Sequence, residues 1–337
     1  MRFGVPATGV AVANGDVYVA SSDADLCRVS VLRGRSVEDI ALIRGIPCLL
    51  VGFFLDSLLV SAGETLYVVS GNEARPVLRA KPGNWFWHGT EGCGAVFVHE
   101  YGEPPTGIYV SEDLRRFKRV STSNSIDPLS RHFHYIAFDR GRELLVATLG
   151  DGNVVRVATS GNCGNTWRPL YKGPWQFVPV LVEVDRWIFG FDSGIARGGI
   201  GIYDTERGEW SFTFLKAGKY RYAQFTSITK FGDYYVGSLG LPVAVVVSRD
   251  LLRWYPLYVD HSATRYNHLV NAVVRGGEIY VATGRELLTF NLTDVKEAFK
   301  KKAFLTPYRA YLDRARGAYI HVEKASSCAK TAQLEPR

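Results

Sequence analysis

The residues able to do chemistry gather in five short stretches, each leading into an apolar run. They are NWFWHGT (84–90), RHFHYIAF (131–138), PWQFVPV (174–180), YRYAQFTS (220–227) and TRYNHLVN (264–271). Four of the seven histidines lie in them, His88, His132, His134 and His268, together with Gln176, Tyr222, Gln224 and Tyr266. Imidazole changes charge near neutral pH, and its neutral form ligates metals. If residues 132–138 form a strand, alternation puts His132 and His134 on one side and Phe133 and Tyr135 on the other. Two imidazoles on one face can act as bases or share a divalent metal. By the same alternation Tyr222 pairs with Gln224, and Tyr266 with His268. His132, His134, Tyr222 and His268 are therefore the candidate catalytic groups. His88, Gln176, Gln224, Tyr266, Asp192 and Arg197 are candidate ligand contacts. The plain alternative for each histidine is a hydrogen-bonded lining residue, and for Trp85 and Trp87 packing rather than ligand stacking.

These stretches come together only if the chain repeats. One signature recurs seven times: GDVYVASS (15–22), DSLLVSAG (56–63), GAVFVHEYG (94–102), RELLVATLG (142–150), DRWIFGFDSG (185–194), GDYYVGSLG (232–240) and GEIYVATG (277–284). Each copy follows one β-rich run and precedes a third, and a fourth closes most units. Alternating, β-branched runs between Gly and Asp turns read as antiparallel strands. Four strands repeating every 40-odd residues match a propeller blade. The expectation is an all-β, seven-bladed β-propeller of four-stranded antiparallel blades over residues 1–310. The blades are cut near 7–45, 46–83, 84–125, 126–173, 174–218, 219–260 and 261–310. Residues 311–337 form a C-terminal extension, with a strand over 317–325 closing the ring beside blade 1 or 7 and then a mobile tail. The one helical candidate is DVKEAFKKK (294–302), capped by Thr293.

In the fourth unit the turn between third and fourth strands reads Ser160-x-Asn162-x-Gly164-x-Thr166-Trp167. A short Asx side chain there fixes a turn, and Gly164 takes positive φ cheaply. Shortened versions occupy the same slot: Ser111-Glu112-Asp113 to Phe117, Asp204-Thr205-Glu206 to Trp210, and Ser248-Arg249-Asp250 to Trp254. This pattern resembles the Asp-box, or BNR repeat, of sialidase-like propellers, with Asn162 where Asp is usual. The resemblance implies a structural role for the boxes and an active face at the opposite end of the ring. There the first strands begin and the loops between second and third strands fall, bringing Glu100, Asp151, Asp192 and Arg197 to the five stretches above. The three arginines, Tyr–Glu pair and Asp acid of sialidases have no counterpart here. A funnel of His, Gln and Tyr is more similar to propeller polysaccharide lyases. The expected function is therefore a carbohydrate-binding or carbohydrate-active propeller, lyase- or glycosidase-like. The alternative is a non-catalytic protein-interaction scaffold.

The 337 residues are 47% hydrophobic and 22% charged, with a net charge of +7. That balance suits an acidic glycan or polysaccharide, and no pattern for sequence-specific nucleic-acid binding appears. No Walker or Rossmann fingerprint occurs. No uncharged run is long enough for a membrane span and no signal peptide is visible, so the default location is cytoplasmic. One Met, three Gln and an excess of Arg over Lys suggest a thermophilic source. Cys27, Cys48, Cys93, Cys163 and Cys328 form no C-x-x-C pair and read as reduced, buried thiols.

Overall fold

The computed structural model describes residues 3–34, 36–151, 155–192, 198–217, 223–263, 267, 269–313 and 318–322, with side chains placed up to residue 307. Seven antiparallel sheets follow one another along the chain. Blade 1 runs from Gly9 to Arg44, blade 2 from Cys48 to Arg79, blade 3 from Trp85 to Thr122 and blade 4 from His132 to Lys172. Blade 5 runs from Phe177 to Lys216, blade 6 from Gln224 to Val259 and blade 7 from Asn271 to Asn291. All seven fall inside the expected cuts. Each first strand packs against the first strands of both neighbours, and the last of these contacts joins blade 7 to blade 1. The architecture is a closed seven-bladed β-propeller.

The strands are apolar on both faces because each blade is covered on both sides. In blade 4, Phe133, Ile136, Leu145 and Ala147 pack toward blade 3 with Phe97 and Ile108. On its other face Ala137, Val146 and Val157 pack toward blade 5 with Phe177, Phe189 and Trp187. Ring closure uses the chain's beginning. The Phe3 amide donates to the Leu287 carbonyl (3.2 Å), Leu287 to Val5 (3.1 Å) and Gly284 to Ala7 (2.8 Å). The Asn271 side chain donates to the Val10 carbonyl (2.9 Å) and accepts from its amide (3.3 Å).

Two blades depart from the four-strand plan. Blade 7 has three strands, and in place of a fourth comes a helix, Leu292–Ala298. Its cap is Asn291, which receives the amides of Thr293 and Asp294, rather than Thr293 itself. Asn291 accepts from the amides two and three residues ahead, the ordinary geometry of a cap, and Thr293 already lies inside the helix. Val295 and Ala298 fill the cluster between blades 6 and 7. The strand expected over 317–325 forms as Ala318–Val322, but not beside blade 1 or 7. It pairs with Thr306–Asp313, which pairs with the outer strand of blade 5, extending that sheet to six strands. The N-terminal segment has already closed the ring, while the outer edge of blade 5 offers unpaired backbone groups. The expected mobile tail lies outside the described residues.

The reading of the cysteines is overturned. Cys27–Cys48 links blades 1 and 2, and Cys93–Cys163 links blades 3 and 4, with Cα separations of 4.9 and 6.0 Å. Partners 21 and 70 residues apart meet only because neighbouring blades do. Cys328 lies outside the described residues.

The box turns form as their residue types require. The Asn162 carboxamide oxygen accepts the Thr166 amide (2.9 Å), the Ser160 hydroxyl accepts the Gly164 amide (2.9 Å), and Gly164 has φ +84°. Asp113 and Asp250 each accept two amides in the slot of Asn162, but in blade 5 it is Asp204, the first residue of its box, that accepts the amides of Glu206 and Arg207, so that turn departs from the expected register. The Trp167 indole donates to the Gly164 carbonyl (3.0 Å) and Trp254 to Leu251 (3.2 Å). Trp167 is only half-buried, however, whereas Trp254 is fully enclosed. Trp254→Ala should therefore cost about 3–5 kcal/mol, and Trp167→Ala clearly less. Thermal melts of the two variants check this, and equal shifts would refute the difference in packing.

Candidate functional site

The first strands begin, and the second strands end, at the face opposite the box turns. Blades 3, 4, 5 and 6 bring polar side chains together there. A bulge interrupts the pairing of first and second strands in each of these blades, and another lies in blade 2. Bulges re-aim side chains and concentrate beside functional sites. In blade 4, His132 opposes Gly150 and Phe133 opposes Leu149, then Tyr135 opposes Thr148, leaving His134 as the extra residue. The two histidines do share a side, with stacked rings 5.1 Å apart. Phe133 and Tyr135 do not, which corrects the strict alternation: Phe133 packs toward blade 3 and Tyr135 toward blade 5. The His134 ring lies directly over Gly150, where a Cβ would collide with its Nε2.

Each imidazole is oriented by a neighbouring blade. His132 Nδ1 lies 3.0 Å from the carbonyl of Gly102 in blade 3. His134 Nδ1 lies 3.2 Å from the carbonyl of Phe177 in blade 5. A carbonyl only accepts, so both Nδ1 atoms carry the proton and both Nε2 atoms keep a lone pair. Burial lowers both pKa values, that of His134 to about 3, so both rings are neutral at pH 7. His132 Nε2 is buried without a hydrogen-bond partner and lies 3.7 Å from Asp151 Oδ2. One ligand atom from each of His132, His134 and Asp151 falls within 4.8 Å of the others.

Around this cluster stands an aromatic wall. Tyr101 lies 4.2 Å from His132 and meets Trp85 and Trp87 at 5.1 and 4.8 Å between ring centroids. Burial, then the charges of Asp151 and Asp192, push the Tyr101 pKa up to about 12, so its hydroxyl stays a donor. Beside the wall Trp87 joins Leu49, Val178 and Leu269 in an apolar cluster drawn from blades 2, 3 and 5 and the segment leading into blade 7. On the far side Asp192 Oδ2 lies 3.8 Å from His134 Nδ1, and Gln224 donates to Asp192 Oδ1 (3.1 Å).

The structure thus gathers His132, His134, Asp192 and Gln224, as expected. Gln176 precedes the first strand of blade 5, and its carbonyl accepts the Asp192 amide (2.9 Å). His88 is set back from the pair, 4.5 Å from Tyr135 and 5.9 Å from His99 between ring centroids. Glu100 is not a funnel residue: it is buried and accepts from Lys81, Asn84, Gly107 and Tyr109. The blade 3 bulge turns it away from the axis and gives Tyr101 the expected place. Tyr222, Tyr266, His268 and Arg197 lie outside the described residues. Tyr101 and His99 were missed, although both stand in the FVHEYG run whose Glu100 drew attention.

No protein-family model and no curated protein matches the chain. Solved structures do. The chain is similar to BamB from Moraxella catarrhalis (13% identity, 84% of this chain and 82% of that one, TM-score 0.50). It is similar to Saccharomyces cerevisiae Sqt1 (9%, 86% and 96%, TM-score 0.54) and to a prolyl endopeptidase (12%, 95% and 54%, TM-score 0.56). Identities this low speak for the propeller fold alone, an architecture compatible with a protein-interaction scaffold. Among the described residues no helix is long and apolar enough to cross a membrane.

His99 gives a pH signature. It is fully buried, and desolvation, then the proximity of His88, hold its pKa well below 6.5. The unfolded chain binds that proton first, so stability is complete above about pH 6.5 and falls as pH drops toward the folded pKa. His99→Phe should flatten this acid limb by up to one proton, about 1.4 kcal/mol per pH unit. Denaturant unfolding from pH 7 to 4 measures the slope, and parallel curves for variant and wild type would contradict the assignment.

Proposed function

We propose that the funnel binds a carbohydrate. The observation that carries this is the clustering of Tyr101 and its two tryptophans beside the polar groups of His132, His134, Asp192 and Gln224. Aromatic faces pack on the C–H surfaces of sugar rings, while convergent polar groups meet the hydroxyls. The net charge of +7 favours an acidic glycan at long range. Near the site the balance is different. Asp151 and Asp192 repel a carboxylate, so a neutral sugar fits the bare funnel and a uronate requires a bridging cation. For a lyase-like reaction Tyr101, whose hydroxyl stays protonated, can donate to the leaving oxygen.

A second reading, the interaction scaffold, draws on Ile46 and Leu129. They are 53% and 64% exposed on the loops that lead into the first strands of blades 2 and 4, on the funnel face. A glycan array with neutral and uronate-containing oligosaccharides, followed by calorimetry, separates the two. The carbohydrate reading expects binding that falls at least tenfold in Tyr101→Ala and vanishes in His132→Ala/His134→Ala, with both variants folded. Unchanged binding in the double variant, or a sugar seated at the box turns, would leave the scaffold.

A further inference from the structure

We propose that His132, His134 and Asp151 bind one divalent first-row transition cation, with zinc as the prototype, and leave open coordination positions toward the funnel. This deepens the carbohydrate reading, because it supplies the cation that a uronate would need, but the site itself stands on three side chains of blade 4.

Four features support it. First, the donor atoms already lie within 4.8 Å of one another, and His132 Nε2 and Asp151 Oδ2 are 3.7 Å apart. Ligands at about 2.0–2.1 Å from a tetrahedral zinc are separated by roughly 3.3–3.5 Å, so small side-chain rotations close the site. Second, both rings donate Nδ1–H to main-chain carbonyls, of Gly102 and Phe177. That second shell fixes the tautomer a metal-bound histidine needs and turns Nε2 toward the ion. Third, His132 Nε2 is sealed from solvent with no partner in the protein, an arrangement that costs free energy unless something fills it. Fourth, the backbone makes room: Gly150 has no side chain where the His134 ring lies, and Asp151 follows it at φ +41°, a left-handed conformation uncommon outside glycine.

The donor set decides the metal. Two imidazole nitrogens and one carboxylate suit zinc and its late first-row neighbours, whereas calcium and magnesium prefer all-oxygen shells.

The test uses full-length protein stripped with a chelator and then titrated with Zn²⁺ by calorimetry, without any sugar. Co²⁺ in parallel gives visible absorption bands that report imidazole ligation. One Zn²⁺ per chain is expected. His134→Gln and Asp151→Asn should each weaken binding by at least the 10–100-fold that loss of an outer-shell partner costs, while His88→Gln should bind as wild type does. Asp151 is 46% exposed on its side chain, so its amide variant keeps the fold even if a substitution at buried His134 does not. Absence of stoichiometric zinc, or wild-type affinity in Asp151→Asn, overturns the proposal. A neutral sugar that binds without zinc would leave the carbohydrate reading standing alone, and zinc that binds where no sugar does would leave the metal site alone.

Discussion

A blade of this protein has two apolar faces and can cover neither by itself. Phe133 and Leu145 need blade 3, while Ala137 and Val146, four residues and one residue further along the same strands, need blade 5. Each sheet is therefore stable only between two others, and the requirement is met everywhere only when the ring closes. The site follows from the same constraint. His132 and His134 belong to blade 4, yet the carbonyls that orient them belong to blades 3 and 5. Closure of the ring sets the protonation pattern of the funnel.

Much of the fold could be read from the sequence because its determinants are local. Strand period, Gly and Asp turns and the spacing of the signature lie within a few residues of each other, and so do the box turns at Ser160 and Ser248. What escaped depends on residues distant in sequence. The disulfides join cysteines brought together by blade neighbours, which no local spacing reports. The bulges break the two-residue period where side chains are being re-aimed, so alternation placed the His132–His134 pair correctly and the Phe133–Tyr135 pair wrongly. Glu100 and Tyr101 show the same effect: adjacent residues, one folded into a buried hydrogen-bond hub and the other half-buried against His132.

The funnel concentrates polar groups while keeping the rings uncharged. Desolvation keeps both histidines neutral and Tyr101 protonated, while Asp151 and Asp192 place negative charge beside them and Arg131 and Arg156 act on the same groups from close by.

The hydrogen bonds from residues 3–7 to 284–287, and the Asn271–Val10 pair, tie the two ends of the domain together. On a ribosome adding about 5–20 residues per second, blade 1 is made roughly 13–50 seconds before Asn271 exists to meet it. Throughout that interval the apolar edge formed by Val10, Val17 and Val19 faces water or a chaperone rather than blade 7. The growing chain is an open arc with one sticky end, and the arrival of blade 7 decides whether that end is buried or aggregates.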